Sequence, residues 1–115
     1  MSKAQPSDRK LVRSAQAGDR RAGDAIARRY LPLVYNIVGR ALGTPADIDD
    51  VVQECMVRIV RDLPEQRDPA RLRAWVGAIA VARISNYRRE TQAEADRTAA
   101  LDQAADEVVD FEDET

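Results

Sequence analysis

The chain has 115 residues, of which 44% are hydrophobic and 33% are charged, and this is enough for one domain with a compact core. Because it contains one cysteine and no histidine, an internal disulfide, a Cys/His zinc cluster and a histidine-based catalytic triad are excluded. No stretch approaches the roughly 18 apolar residues of a membrane span, and the start lacks the apolar run of a signal peptide. We therefore expect a cytoplasmic protein with no catalytic residues, metal or cofactor.

The formal net charge of −2 conceals an uneven distribution of charge along the chain. Residues 93–115 contain nine acidic residues and one arginine, so they carry −8, and subtracting this from −2 leaves +6 for the rest. A basic folded part followed by an acidic tail is typical of a protein that contacts nucleic acid. Such a tail usually stays solvated, and we expect disorder from Asp102 onward.

Cap and turn residues predict two helices in the first part of the chain. Ser7 or Asp8 can cap a short first helix, and Gly18 ends it because glycine readily takes the left-handed conformation found at helix ends. Asp19 can cap a second, longer helix, whose apolar residues recur at helical spacing. Pro32 lies inside this second helix and should kink or split it, since proline removes one backbone donor.

Two further start signals predict a third and a fourth helix. The run Thr44-Pro45-Ala46-Asp47 combines a cap residue, a proline at the first helical position and an acid in the first turn. This third helix should run to about Leu63, and Asp68-Pro69 should open a fourth helix through Arg89 or beyond. No segment alternates like a strand. The sequence thus predicts an all-α fold, a compact bundle of about four helices with an acidic C-terminal tail.

The third helix has two contrasting faces at about 100° per residue. One face is apolar and should be core: Ile48, Val51, Val52, Cys55, Ile59 and Leu63. The opposite face combines polar residues with two valines: Asp49, Asp50, Gln53, Val57 and Val60. An apolar patch with a polar rim is how partner-binding surfaces are commonly built. Surface valines without a function remain the alternative.

The fourth helix also has two faces. Its predicted core face carries Leu72, Trp75, Val76, Ile79 and Tyr87, and at this spacing Trp75 is expected in the core rather than as a platform for stacking bases. The opposite face has small residues flanked by arginines: Ala74, Gly77, Ala78, Val81, Ser85 and Arg88, with Arg71 and Arg89 beside them. Small residues let a strand come close and arginines contact phosphates, so this face predicts nucleic-acid binding.

Four motifs in this order resemble region 2 of the extracytoplasmic-function (ECF) sigma factors of bacterial RNA polymerase. They occupy residues 11–19, 29–35, 47–54 and 72–80. The resemblance implies that residues 8–92 form a sigma region 2 domain, and that residues 93–115 are a helix extension and acidic linker toward region 4. Since 115 residues leave no room for region 4, we expect a fragment of a longer protein.

The resemblance implies two partners. The D-x-x-D-x-x-Q-E helix would dock on the clamp helices of the largest polymerase subunit through Asp49, Asp50, Gln53, Glu54 and Val57. The fourth helix and the loop before it would capture the non-template strand of the promoter minus-ten element through Arg67, Arg71, Arg73, Gly77, Val81, Ser85, Arg88 and Arg89. This implies a transcription initiation factor that recognises and melts that element. Family members often carry Asn where this chain has Ala82, so we expect a weak base preference.

Two other functions are compatible with parts of the pattern. A protein-only helical regulator would bind an anti-sigma factor or another helical partner. An enzyme would use the carboxylates of the third helix, Asp47, Asp49, Asp50 and Glu54, to hold Mg²⁺. These carboxylates spread around the helix, and no phosphate-binding glycine loop accompanies them, so we expect no enzymatic activity.

Overall fold

The structure, a computed structural model, describes the backbone of residues 5–113 and the side chains of residues 5–107. Over this part of the chain it has four α-helices, two short 3-10 helices and no strand. They are α1 (Asp8–Gln16), α2 (Arg20–Ala41), α3 (Pro45–Asp62), the 3-10 helices Leu63–Glu65 and Pro69–Arg71, and α4 (Leu72–Asp113). The predicted all-α fold is confirmed. The chain divides into two units at Ile84 and Ser85, which we describe separately.

The predicted starts of the first three helices are confirmed, because each cap side chain accepts a hydrogen bond from a backbone N–H of the first turn. The fourth start differs from the prediction, since Asp68 caps the 3-10 helix Pro69–Arg71 and α4 begins only at Leu72. The bonds run from Lys10 to Ser7 at 3.2 Å, from Arg21 to Asp19 at 2.9 Å, from Asp47 to Thr44 at 3.3 Å and from Ala70 to Asp68 at 3.1 Å. Gly18, after α1, has φ of +98°, a conformation in which a residue with a side chain would be strained.

Pro32 does not split the second helix, and the alternative that it kinks the helix stays a prediction. The helix α2 runs from Arg20 to Ala41 with the proline inside it. Proline cannot donate a hydrogen bond to the carbonyl of Arg28. Both residues are exposed, and water can therefore satisfy that carbonyl.

The core face of α3 is the one that helical periodicity predicts. The predicted core residues of α3 after Ile48 are between 0% and 3% exposed, and so is Leu63, which directly follows the helix: Val51, Val52, Cys55, Ile59 and Leu63. Ile48, in the first turn, is half-buried. Burial of an aliphatic side chain of this size contributes about 1.5–3 kcal/mol. These residues therefore fix which side of α3 faces outward.

The core face of α4 in the first unit differs from the prediction in two ways. Leu72, Val76 and Ile79 are buried as predicted. Trp75 is only half-buried, since so large a ring rarely loses all contact with water. Ala80 and Ile84, left out of the predicted face, are 0% and 6% exposed. The buried face of α4 is therefore wider than predicted, because it also includes Ala80 and Ile84.

The second unit is helical, and the prediction of disorder from residue 102 is wrong for the backbone, which is α-helical through Asp113. Residues 88–107 are all exposed. Six alanines between residues 93 and 105 favour helix, as do an ion pair of Arg97 with Glu94 and a 2.9 Å hydrogen bond from Gln92 to Asp96. The apolar side chains at residues 108, 109 and 111 lie outside the described part. No helix in the described part is long and apolar enough to span a membrane.

Asp8 joins α1 to α2. Its Oδ1 accepts a hydrogen bond from Arg29 Nη1 at 2.7 Å, and its Oδ2 accepts one from the hydroxyl of Tyr30. Burial, together with this bond to a carboxylate, raises the pKa of Tyr30 from 10.0 to about 12. The folded state thus favours the protonated phenol.

Replacement of Tyr30 by Phe should lower the free energy of unfolding by about 1 kcal/mol at neutral pH, because one hydrogen bond is lost. The contribution of the phenol is fully present below its unfolded pKa of 10.0 and is lost as pH rises toward 12. Wild-type protein should therefore lose more stability over this range than Tyr30→Phe does. Urea unfolding at a series of pH values measures the difference.

Tyr35 provides the matched control for this prediction. It is 42% exposed, and its hydroxyl donates to Asp49 at 3.1 Å. The change Tyr35→Phe should therefore alter stability by less than Tyr30→Phe. Equal pH profiles for wild type and Tyr30→Phe would show that the bond to Asp8 does not stabilise the fold.

Candidate protein and nucleic-acid interfaces

The outward face of α3 is a polar surface with apolar residues in it. Asp49, Asp50 and Gln53 are exposed, and the two valines are 63% and 36% exposed at Val57 and Val60. All five residues lie where helical periodicity places them. Because the other side of α3 is buried in the core, this face is held in a fixed orientation.

A groove of about 720 Å³ lies where α2 meets α3. Its lining is largely apolar, with charged residues among it: Ala27, Leu31, Met56, Val57 and Val60, with Asp24, Arg28 and Arg61. Sequence reasoning missed the part that α2 contributes. Leu31 lies one turn after Arg28 and is only half-buried. The sequence signal for this part of the groove was the position of Leu31, an apolar residue at the margin of the core face of α2. The groove extends the apolar surface of α3.

Two residues of the predicted polymerase-binding set have partners within the chain. Asp49 accepts the hydrogen bond from Tyr35, and Glu54 accepts an ion-paired hydrogen bond from Nε of Arg83. By contrast, the side chains of Asp50 and Gln53 make no hydrogen bond or ion pair with the described residues. Asp50 and Gln53 are therefore the polar groups of this face that are most available to a partner.

The predicted DNA-binding residues of the first unit lie on and before α4. Arg67, Arg71 and Arg73 are exposed, and Val81 is 60% exposed. Gly77 is different, because it is half-buried and a Cβ built there would lie 3.9 Å from Cδ1 of Ile37. Gly77 therefore packs partly against α2, and it offers less open surface than the sequence pattern predicts.

The predicted DNA-binding residues of the second unit are Ser85, Arg88 and Arg89, and all three are exposed. Nη2 of Arg89 donates a hydrogen bond to Oδ1 of Asn86, one turn earlier in the helix. This bond holds one guanidinium close to the helix surface. It stays a prediction that these residues bind the same DNA strand as the predicted DNA-binding residues of the first unit.

Comparison with known proteins gives the class. The family described as Sigma-70 region 2 matches residues 26–94, which is more than half of the chain, and the chain therefore belongs to this family. It is 34% identical over 83 residues to the ECF RNA polymerase sigma-E factors of Escherichia coli (strain K12) and Salmonella typhimurium (strain LT2). The corresponding protein of Haemophilus influenzae is 32% identical over 83 residues.

These similarities confirm the predicted resemblance to ECF sigma factors. Each alignment covers 72% of this chain and 43% of the relative. The chain thus spans less than half the length of the relatives that it matches. The matched family segment contains both the α3 face and the residues from Arg67 to Arg89.

Proposed function

We propose that this chain is the part of a bacterial transcription initiation factor that joins RNA polymerase core to the promoter minus-ten element. The observation that carries the proposal is the outward face of α3, which a buried opposite face holds in place. Family membership supports it, and so do the names of the relatives, which are RNA polymerase sigma factors. The chain would act in the cytoplasm and would perform no covalent chemistry.

Polymerase core is the proposed partner of α3. The side chains of Asp50 and Gln53 form no hydrogen bond or ion pair with the described residues, and Val57 is 63% exposed. An exposed apolar side chain within a polar rim is suited to the centre of an interface. By resemblance to the family, this face docks on the clamp helices of the largest subunit. Asp49 and Glu54 would contribute charge there while they keep their bonds to Tyr35 and Arg83.

Single-stranded promoter DNA is the proposed partner of α4 and of the segment before it. Arginines of the segment and of α4 would contact phosphates, which contribute most of the salt-dependent affinity for nucleic acid. They are Arg67, Arg71, Arg73, Arg88 and Arg89. The free energy of binding unpaired bases of the non-template strand would offset the few kcal/mol that unpairing costs. Binding energy alone would then melt the element.

Single-stranded minus-ten oligonucleotides should therefore bind more tightly than the same sequence as duplex. The change Arg71→Ala should lower the slope of log affinity against log salt by about 0.7, the value for one phosphate contact on a single strand. Fluorescence anisotropy over a salt series measures both effects. Arg40→Ala, an exposed arginine at the end of α2, is the control and should leave the slope unchanged.

Equal affinity for both forms of DNA, with no dependence on salt, would contradict this function. It would favour the alternative, in which the chain binds an anti-sigma factor or another helical protein. The groove where α2 meets α3 is the observation that favours such a partner, because it is mostly apolar and about 720 Å³ in volume. A helix could lay an apolar face into a groove of this kind.

We also propose that the core-binding and DNA-binding domain ends near residue 92, and that residues 93–115 form an extension and linker. The end of the family match at residue 94 supports this boundary. So does the exposure of every residue from 88 to 107.

A further inference from the structure

The first helix carries a basic groove that the proposed function does not use. The groove is about 440 Å³ in volume, and Ser7, Arg9, Lys10, Arg13, Ser14 and Ala17 line it. Three cationic side chains and two hydroxyls thus meet at one surface, and no carboxylate lines it. All three cationic residues are exposed.

The positive charge of this groove is not neutralised within the described part of the chain. Asp8 is the one acidic residue of α1, and its two oxygens bind Arg29 and Tyr30 on α2. Arg9, Lys10 and Arg13 form no ion pair with any described residue. The groove therefore presents three positive charges without an internal counter-charge, as an anion-binding surface does.

The helix that carries the groove is held in place. Leu11, Val12 and Ala15, on the other side of α1, are between 1% and 8% exposed. The bond from Arg29 to Asp8, at 2.7 Å, fixes the start of the helix to α2. A ligand of this groove would therefore meet a helix whose backbone is already in place, and only the exposed side chains of Arg9, Lys10 and Arg13 would have to be ordered.

The position of α1 relates the groove to the proposed DNA-binding surface. Nε2 of Gln16 donates a hydrogen bond to the carbonyl oxygen of Gln66 at 2.9 Å. In addition, α1 contacts both short helices, Leu63–Glu65 and Pro69–Arg71. Arg67 and Arg71 belong to this same segment. The proposed DNA-binding segment therefore lies against α1, within the first unit.

We propose that the α1 groove binds backbone phosphates of the single strand held at the segment before α4, and so lengthens the bound strand beyond the minus-ten element. Arginine, lysine and serine together are a typical set of phosphate contacts. Arg9 and Arg13 lie about 6 Å apart along the helix axis, so they can contact different phosphates. The inference rests on the proposed function, because it assumes that the segment binds DNA.

Three single-stranded oligonucleotides test this proposal with the full chain. One contains only the minus-ten element, one extends it upstream, and one extends it downstream. The variant Arg9→Gln/Lys10→Gln/Arg13→Gln should bind the short strand like wild type. For one of the two extended strands, its salt slope should fall by about 2, as expected for three lost contacts to a single strand.

A matched control separates the groove from total charge. The variant Arg28→Gln/Arg40→Gln/Arg58→Gln removes the same charge from exposed positions of α2 and α3. It should still bind the extended strand more tightly than the short one, by the same factor as wild type. Circular dichroism of both triple variants should match wild type, because none of the six side chains belongs to the core.

The outcomes distinguish this proposal from the proposed function. If the α1 variant binds all three strands like wild type while Arg71→Ala weakens them, the α1 proposal is overturned and the proposed function stands. If Arg71→Ala has no effect on any strand while the α1 variant loses salt slope on all three, the strand is not held at the segment before α4, and both the proposed function of that segment and the α1 proposal are overturned. Unchanged DNA binding together with weaker binding of polymerase core would overturn the proposal and assign the groove to an acidic protein surface.

Discussion

Replacement of Ile59 by Ala should lower the free energy of unfolding by about 2–5 kcal/mol, the usual cost of removing a large aliphatic side chain from a core. Val57→Ala, two residues earlier on the same helix, should cost less than about 0.5 kcal/mol. The contrast follows from burial, since Ile59 is 0% exposed and Val57 is 63% exposed. Urea unfolding followed by circular dichroism measures both values.

The conservative change Ile59→Val is the control for this experiment and should cost only about 0.5–1.5 kcal/mol. Comparable losses for Val57→Ala and Ile59→Ala would contradict the orientation of α3. In that case Val57 would be part of the core, and it could not belong to a surface that binds polymerase.

The double variant Asp50→Lys/Gln53→Ala should weaken binding to polymerase core by about 2–4 kcal/mol, which is more than tenfold in Kd. Both side chains are exposed and have no partner among the described residues, so the change removes interface contacts and no fold contacts. The free energy of unfolding should stay within about 0.5 kcal/mol of wild type. Pull-down of core enzyme over a concentration series measures the loss.

The chain offers a matched control for this double variant. Gln103 and Asp106 in α4 are the same residue types, also three residues apart and exposed. The variant Asp106→Lys/Gln103→Ala makes the same change in charge and size at residues that are not part of α3, and it should bind core as wild type does. Equal affinity of core for the two double variants would remove α3 from the polymerase interface.

Local physical chemistry explains what could be predicted from the sequence. The cap at Thr44, followed by a proline, depends on residues within one turn, and so does the end of α1 at Gly18. The two faces of α3 follow from its period alone, because the apolar residues lie along one stripe. These features needed no knowledge of which helices meet.

The features that could not be predicted depend on contacts distant in sequence or on a balance of local effects. Asp8 pairs with Arg29, and Glu54 pairs with Arg83, residues that are 21 and 29 positions apart. Nothing in their local sequence distinguishes them from other charged residues. For the tail, the prediction gave more weight to the acidic charge, which favours disorder, than to the alanines, which favour helix. In the structure the helix propensity prevails.

The basic groove of α1 shows the same limit in another way. Arg9, Lys10 and Arg13 are visible in the sequence as a basic cluster, but the acid beside them, Asp8, would ordinarily be counted as their counter-charge. Only the structure shows that Asp8 binds across to α2. The unpaired positive charge of the groove can therefore be recognised only once the partners of Asp8 are known.

The central claim is that one chain joins polymerase core to single-stranded promoter DNA through separate surfaces. Retention of a labelled minus-ten oligonucleotide on immobilised core enzyme tests it most directly. The account predicts retention with the wild-type chain and loss with Asp50→Lys/Gln53→Ala, although that variant still binds the oligonucleotide free in solution. Retention that is equal with the wild-type chain, with the variant and with no added chain would contradict the claim.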